Sequence, residues 1–478
     1  MVKQKRKTQR RKDGSLKVVF INTMMAVTAL IAALVLLLIS MGYKFGLDGT
    51  LGRTGLVQIN SLPSGAEVEV DGKPQSMRTD FSKSFDAGWH NFAVSQEGFD
   101  IWRKAVEVKP GLVTRLNYVR LFPLARNAEF VRAEESLYRV FMASGRQTIL
   151  SMKTQAEWEL IDIRNDQTRY TPVALDSLFA EGVLLAAKDI TVTAWSDNGQ
   201  RALVRVTRGD DVVEWVVIDA GQVSRSVNLN KELSLEFTDV VFADGSGTKA
   251  YVLERGNLRQ VDINAKIISA VVQPKVSAIH GFSGRVMYAR TDDTGARLIE
   301  VWRDGANGPM RVGKIPAETQ GEIALVQAEF RGRSWVAYRL GGQVRVFEGM
   351  VDKVGTNESM EVTMEQAFAS CDGGLSAAGQ GRLIKLRCDD KTLMLDLEED
   401  ALYTVDETAA VARWLDDYLL YLQDGVDTYA IDFDGANGRW LLPVSDFPVV
   451  ASVDNRWMYY YDTTDEGEIE LLRWRLDG

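Results

Sequence analysis

Two histidines and two cysteines among 478 residues leave little for metal or nucleophilic chemistry. A structural zinc site draws four ligands from Cys, His and carboxylates at close spacing, and His90 and His280 stand far apart in sequence with no Cys beside either. A Ser-His-Asp hydrolase would have to use one of these two imidazoles, and no Gly-x-Ser-x-Gly elbow is present. The residues point to no metal, no cofactor and no catalytic set, and the expectation is a protein that is not an enzyme. His90 falls at a turn and reads as structural, and His280, in Ala278-Ile279-His280-Gly281-Phe282, reads as a turn residue. Two cysteines cannot build a disulfide scaffold. A hairpin turning at Gly379-Gln380 would nevertheless set Cys371 opposite Cys388, so one bridge between them is expected.

Charge is missing altogether from Val18 to Tyr43. As a helix this stretch would reach about 39 Å, and a bilayer core of about 30 Å needs about 20 such residues. It is therefore expected to be a transmembrane helix over 18–43 whose partner is the lipid bilayer. A cleavable signal peptide has a shorter apolar run, and Ser40-Met41-Gly42 is the small-x-small match that would serve one. Residues 1–17 hold eight Lys or Arg against one Asp, a net +7, whereas 44–478 hold 48 basic and 65 acidic residues, a net −17. Basic residues flanking a span stay on the cytoplasmic side. The expected topology is a single pass in the cell membrane, with a cytoplasmic basic tail at 1–17 and the large acidic part extracytoplasmic. No nucleic-acid partner is expected: the basic tail has no aromatic residue to stack on bases, and the acidic remainder repels phosphate.

Residues 44–55, rich in Gly and polar residues, read as a linker. From 56 to about 118 the pattern alternates with period two, as a small antiparallel β-sandwich does. Asp71-Gly72 is a hairpin-turn dipeptide, since both central positions of a type I′ turn take positive φ. Pro63-Ser64-Gly65-Ala66, Val70-Asp71-Gly72, Gly88-Trp89-His90 and Gly98-Phe99, in that order, resemble a PEGA domain. Ser76-Met77-Arg78-Thr79 stands where that family usually has Gly-Thr-Pro. The resemblance, carried by Pro63, Gly65, Asp71, Gly72, Gly88, His90 and Gly98, implies a small β-domain of surface and envelope proteins and no enzymatic activity.

Beyond about residue 126 the pattern repeats every 40 to 50 residues, roughly, with two strands joined by a tight turn in each repeat. The eight strand pairs centre on 137–141 with 158–162, 202–206 with 215–219, 250–253 with 258–262, 286–289 with 299–302, 335–338 with 344–347, 383–386 with 393–396, 418–421 with 428–432, and 457–460 with 470–474. Such spacing predicts a β-propeller of about eight blades over 119–478. Ala194-Trp195-Ser196-Asp197-Asn198-Gly199-Gln200-Arg201 resembles the Trp-Ser-Pro-Asp-Gly-Lys turn of TolB-type, WD-like propeller repeats, and Asp432-Phe433-Asp434-Gly435 through Arg439 resembles their outer turn. The fold class is thus an all-β ectodomain behind one N-terminal transmembrane helix.

The last repeat ends after its third strand. Leu121-Phe122-Pro123-Leu124 matches Tyr170-Thr171-Pro172-Val173 and Leu441-Leu442-Pro443-Val444, and proline suits an edge strand. Residues 119–125 are therefore expected to supply the missing outer strand and close the ring. Paired acids at Asp210-Asp211, Asp292-Asp293, Asp389-Asp390 and Asp416-Asp417 match no calcium loop and suit solvated turns. The function expected is a membrane-anchored extracytoplasmic binding or scaffold protein of the cell envelope, its propeller receiving an envelope protein or a glycan. The rivals are a glycan-acting enzyme with two funnel carboxylates and a sensor subunit that signals through a membrane partner.

Overall fold

The computed structural model describes residues 3–477 except 46–50, 144, 210, 307, 320, 350–360, 379–380, 407–411, 425–426 and 444–446. It divides after Ala125 into two compact units.

The first unit opens on one helix, Lys3–Ser40. The basic tail is therefore helical and continuous with the apolar run rather than separate from it. Phe20–Ser40 has a mean hydropathy of 2.5, and none of it is covered by the rest of the protein. The helix stops before Tyr43, because Gly42 takes φ +82° and its N–H bonds the carbonyl of Ile39 at 2.9 Å, a left-handed C-terminal cap. Tyr43–Phe45 then pairs as a strand with the start of Leu51–Leu62. The expected linker at 44–55 is thus strand at both of its ends, while 46–50 lie outside the described residues.

Two four-stranded sheets follow. One holds Tyr43–Phe45, Leu51–Leu62, Phe81–Asp86 and Val113–Arg120, and the other Lys73–Pro74, Glu67–Val70, Gly88–Ser95 and Ile101–Val108. Val57, Ile59, Val68, Phe92, Val94, Trp102 and Leu116 fill the core between them. The sandwich is not wholly antiparallel, because Leu51–Leu62 and Val113–Arg120 run parallel. A parallel pair needs a long crossover, and the whole second sheet lies between these two strands in sequence.

The second unit is a β-propeller: eight four-stranded sheets among the described residues. Seven use four strands consecutive in sequence, and the inner strands of the third to sixth sheets meet side by side. The strand pairs read from sequence are adjacent partners in all sheets but the first. There, Thr148–Thr154 lies between Arg139–Met142 and Glu157–Asp162, so 137–141 and 158–162 belong to the first and third strands. Near-continuous apolar strands such as Ala202-Leu203-Val204 and Val216-Val217-Ile218 are fully buried between neighbouring sheets.

Ring closure differs from the expectation. The eighth sheet, Val450–Ala451, Trp457–Thr463 and Ile469–Arg475, takes its outer strand from Glu129–Glu134. Leu121, Phe122, Pro123 and Leu124 remain in the first unit. Leu121 and Phe122 are buried in its core, the Leu121 N–H bonds the Leu62 carbonyl, and Pro123 bridges Phe99. Apolar Leu121 and Phe122 gain more from that core than an exposed ring edge could return. The charged alternation Glu129-Phe130-Val131-Arg132-Ala133-Glu134 suits an edge. Arg132 crosses the closure, bonding Glu134 at 2.8 Å and Glu159 of the first sheet at 2.7 Å and lying 4.0 Å over the Tyr170 ring.

Candidate functional site

A cavity of about 610 Å³ lies where the inner strands of the first, sixth, seventh and eighth sheets converge. Two of these strands, Arg413–Trp414 and Val450–Ala451, are only two residues long. Short inner strands leave room on the axis that the longer inner strands elsewhere occupy. Tyr138, Phe141, Trp414 and Phe447 give the cavity aromatic walls, and Arg139, Arg146 and Arg413 bring cations to it. Arg146 is held by the Ser452 carbonyl at 3.3 Å and by Asn455 Oδ1 at 2.9 Å. Arg139 pairs with Asp189 at 2.8 Å. Asp416 is consumed locally, since its Oδ1 accepts the N–H groups of Tyr418 and Leu419. Asp417 remains exposed to solvent, and partial desolvation beside the cavity wall moves its pKa above the ordinary carboxylate value, with Arg146 opposing and Asp416 adding to the shift. Lys385, behind Trp414, donates to the Ala412 carbonyl at 2.8 Å, and burial, reinforced by Arg413, pulls its pKa down to about 8.

Other perturbed groups lie apart from this lining. Asp239 begins the inner strand of the third sheet, and burial raises its pKa to about 6 against the Val240 N–H and Arg205. His280 is not in a turn. It sits within the inner strand Val276–Phe282, paired with Met287, and burial pushes its pKa to about 4, so the ring is neutral.

Among the described residues no cluster of three His, Cys, Asp or Glu could hold a metal ion. The acidic pairs serve turns. Asp292 accepts from the Thr294 hydroxyl and from the N–H groups of Thr294 and Ala296, which hold its pKa near about 2. Asp293 meets Lys275 at 2.8 Å, and Asp211 meets Lys188 at 3.0 Å. Asp389 and Asp390 both take positive φ, and Asp389 accepts from the Ser370 N–H at 2.8 Å. Asp210 lies outside the described residues.

Cys371 and Cys388 face each other in register on neighbouring strands of the sixth sheet, and their sulfurs are joined. In the small domain, Asp71 and Gly72 have φ of 52° and 73° and connect Val70 to its partner Lys73. Asp71 also accepts from the Asn91 N–H at 2.9 Å and meets His90 Nδ1 at 2.7 Å, while His90 Nε2 meets the Asp86 carbonyl at 2.8 Å. Gly65 and Gly98 turn the chain at φ +83°, and Gly88 at +135°. Pro63 accepts through its carbonyl from Ser61 Oγ at 2.7 Å. These positions form turns and a hydrogen-bonded lock, except that His90 is not at a turn but within the strand Gly88–Ser95, paired with Val106.

One device was not read from the sequence. Ser452 and Asp454 repeat the turn built by Ser196 and Asn198. In both, the serine hydroxyl donates to the side-chain oxygen two residues on and accepts the N–H five residues on, from Arg201 or Trp457. The recurring Ser-x-Asn/Asp spacing carried the signal, but Val453 and Asn455 disguise it.

Residues 54–121 match the PEGA domain family. A search among curated proteins finds no sequence match. Among solved structures, the chain is similar to the C-terminal WD40 domain of Sif2, at 14% identity and a TM-score of 0.46, over 73% of this chain and 99% of that one. It is also similar to PorZ, a surface component of the type-IX secretion system of Porphyromonas gingivalis, at 11% identity and a TM-score of 0.39, over 70% of this chain and 43% of that one. A prolyl endopeptidase matches at 13% identity and a TM-score of 0.45, over 72% of this chain and 55% of that one. These likenesses concern the fold alone, and the propeller assignment rests on the strand order described above.

Proposed function

We propose that the chain is a membrane-anchored, extracytoplasmic binding or scaffold protein of the cell envelope. Phe20–Ser40 crosses the bilayer, the basic tail stays cytoplasmic under the positive-inside rule, and the PEGA domain and propeller stand outside. The observation that carries the reading is the axial cavity: aromatic faces beside cations on a rigid propeller frame, the composition of a recognition pocket. An envelope protein segment or a glycan is the ligand it would take. Capture from envelope protein and cell-wall glycan fractions by the wild-type chain, beside a Trp414→Ala, Arg413→Glu variant, tests this. Retention of one defined species that the variant loses supports the reading, whereas equal retention by both places recognition elsewhere.

Asp417, with its raised pKa beside Asp416 in the same cavity, favours one second reading, a glycan-acting enzyme with paired carboxylates. Slow glycan cleavage abolished by Asp417→Asn would select it over simple binding.

A further inference from the structure

We infer that the helix-proximal end of the PEGA domain rests in the headgroup layer of the same bilayer, with Leu112 and Trp89 as its lipid contacts. The inference rests on the anchor reading above and adds a second membrane-binding surface to it.

The argument begins at the end of the helix. Phe20–Ser40 holds 21 residues, about 31 Å at 1.5 Å each, which matches a hydrocarbon core of about 30 Å. Ser40 therefore sits at the core boundary. The headgroup layer beyond it is only about 5–7 Å deep. No spacer separates the domain from this point. The Thr54 N–H bonds the Gly42 carbonyl at 2.7 Å, and the Gly111 N–H bonds the Thr54 carbonyl at 2.9 Å. Gly42 and Gly111 touch so closely that a Cβ on Gly42 would lie within 3 Å of Gly111 backbone, and one on Gly111 would lie 3.0 Å from the Met41 carbonyl carbon. Two glycines with positive φ, +82° and +71°, thus clamp the turn between Ile101–Val108 and Val113–Arg120 against the last turn of the helix.

The clamp puts that turn inside the headgroup layer, and what it carries there is apolar. Leu112, next to Gly111, is 58% exposed, and Trp89 is 71% exposed. Trp89 pairs with Glu107, and its neighbour Gly88 pairs with Val108, so it reaches the same end of the domain from the other sheet. Tyr43, with Arg53 5.5 Å over its ring, completes an aromatic and basic rim. Trp and Tyr prefer this depth of a membrane. The charges nearly cancel, since Lys44, Arg53 and Lys109 stand beside Asp86 and Glu107. The contact is thus apolar, and neither salt nor anionic lipid should govern it.

The test uses the full chain in phosphatidylcholine vesicles, with single spin labels at Leu112→Cys, Trp89→Cys, Glu97→Cys and Leu34→Cys. The native cysteines are tied to each other and do not compete for label. At Leu112 and Trp89 the label should lose most of its collisions with a water-soluble nickel chelate and gain collisions with lipid-dissolved oxygen, relative to Glu97 in an exposed turn. Adding phosphatidylglycerol or salt should leave both unchanged. If Leu34 reads as lipid-buried while Leu112 and Trp89 match Glu97, the resting surface is refuted and the anchor stands. If Leu34 itself reads as aqueous, the anchor reading fails and takes this inference with it.

Discussion

His90 is held at both ring nitrogens. Partial burial disfavours its charged form, but the bonds to the Asp71 carboxylate and the Asp86 carbonyl outweigh that cost and hold its pKa above 6.5. The Asn91 N–H, then His90, hold Asp71 below 3.8. A raised histidine stabilises the fold fully below its unfolded value and loses that stabilisation as pH rises through the folded one. A depressed aspartate stabilises above its unfolded value and loses that stabilisation as pH falls through its folded pKa. The lock is thus strongest in the mildly acidic window between the two. His90→Gln should lower the PEGA domain's melting temperature more near about pH 5.5 than near about pH 9, read by pH-dependent calorimetry. In the propeller, Arg382 bonds Asp396 at 2.9 Å, and the Asp396 side chain is completely buried. Arg382→Ala removes the cation paired with that carboxylate, leaving it the Glu398 and Glu399 N–H groups, and should cost about 3 kcal/mol in urea unfolding.

Elements carry the closure and the bridge. Glu129–Glu134 pairs with Ile469–Arg475, so a chain starting at Arg126 should keep the propeller's melting temperature, and one starting at Glu135 should lose several degrees. Equal melting of the two would mean that this strand does not close the ring. The disulfide spans a separation of 17 residues, a loop worth about 3 kcal/mol by chain entropy. Reductant, or the Cys371→Ala, Cys388→Ala double variant, should lower unfolding stability by up to that amount. Much at this scale was legible in the sequence. Alternation exposed most strands, and the Asp71-Gly72 dipeptide marked a hairpin because Asp tolerates positive φ and Gly, without a Cβ, adopts it freely. The closing strand was not legible. Leu121-Phe122-Pro123-Leu124 looks like the outer strands at Arg169–Pro172 and Arg439–Pro443, and only competition for a core decided that it stays with the PEGA domain. His280 was misread for a related reason: Gly281 suggests a turn, yet it lies within a strand where a Cβ would meet the Phe242 carbonyl of the neighbouring inner strand at 2.0 Å.

Over the whole molecule, the proposed recognition rests on the axial cavity. Trp414→Ala should reduce ligand capture while lowering the melting temperature only modestly, since Trp414 is partly buried on the cavity wall; a large loss of stability would instead make it a core residue. The acids illustrate the limit of reading such a site from sequence. Asp292 and Asp417 both stand in acidic pairs, yet one is pinned to about 2 by turn hydrogen bonds while the other is raised on a cavity wall. Identical local composition hides that difference, because it depends on which sheets surround the turn. The sequence by itself determined the apolar helix, the PEGA turn signature, the repeat that makes a propeller and the facing cysteines, because each is a periodicity or spacing written along a local stretch. Only the tertiary structure decided which strand closes the ring, where the inner strands shorten to leave a cavity, and how the helix end meets the domain. Those outcomes depend on residues far apart in the chain competing for the same buried space and the same backbone partners, and no local pattern records who wins.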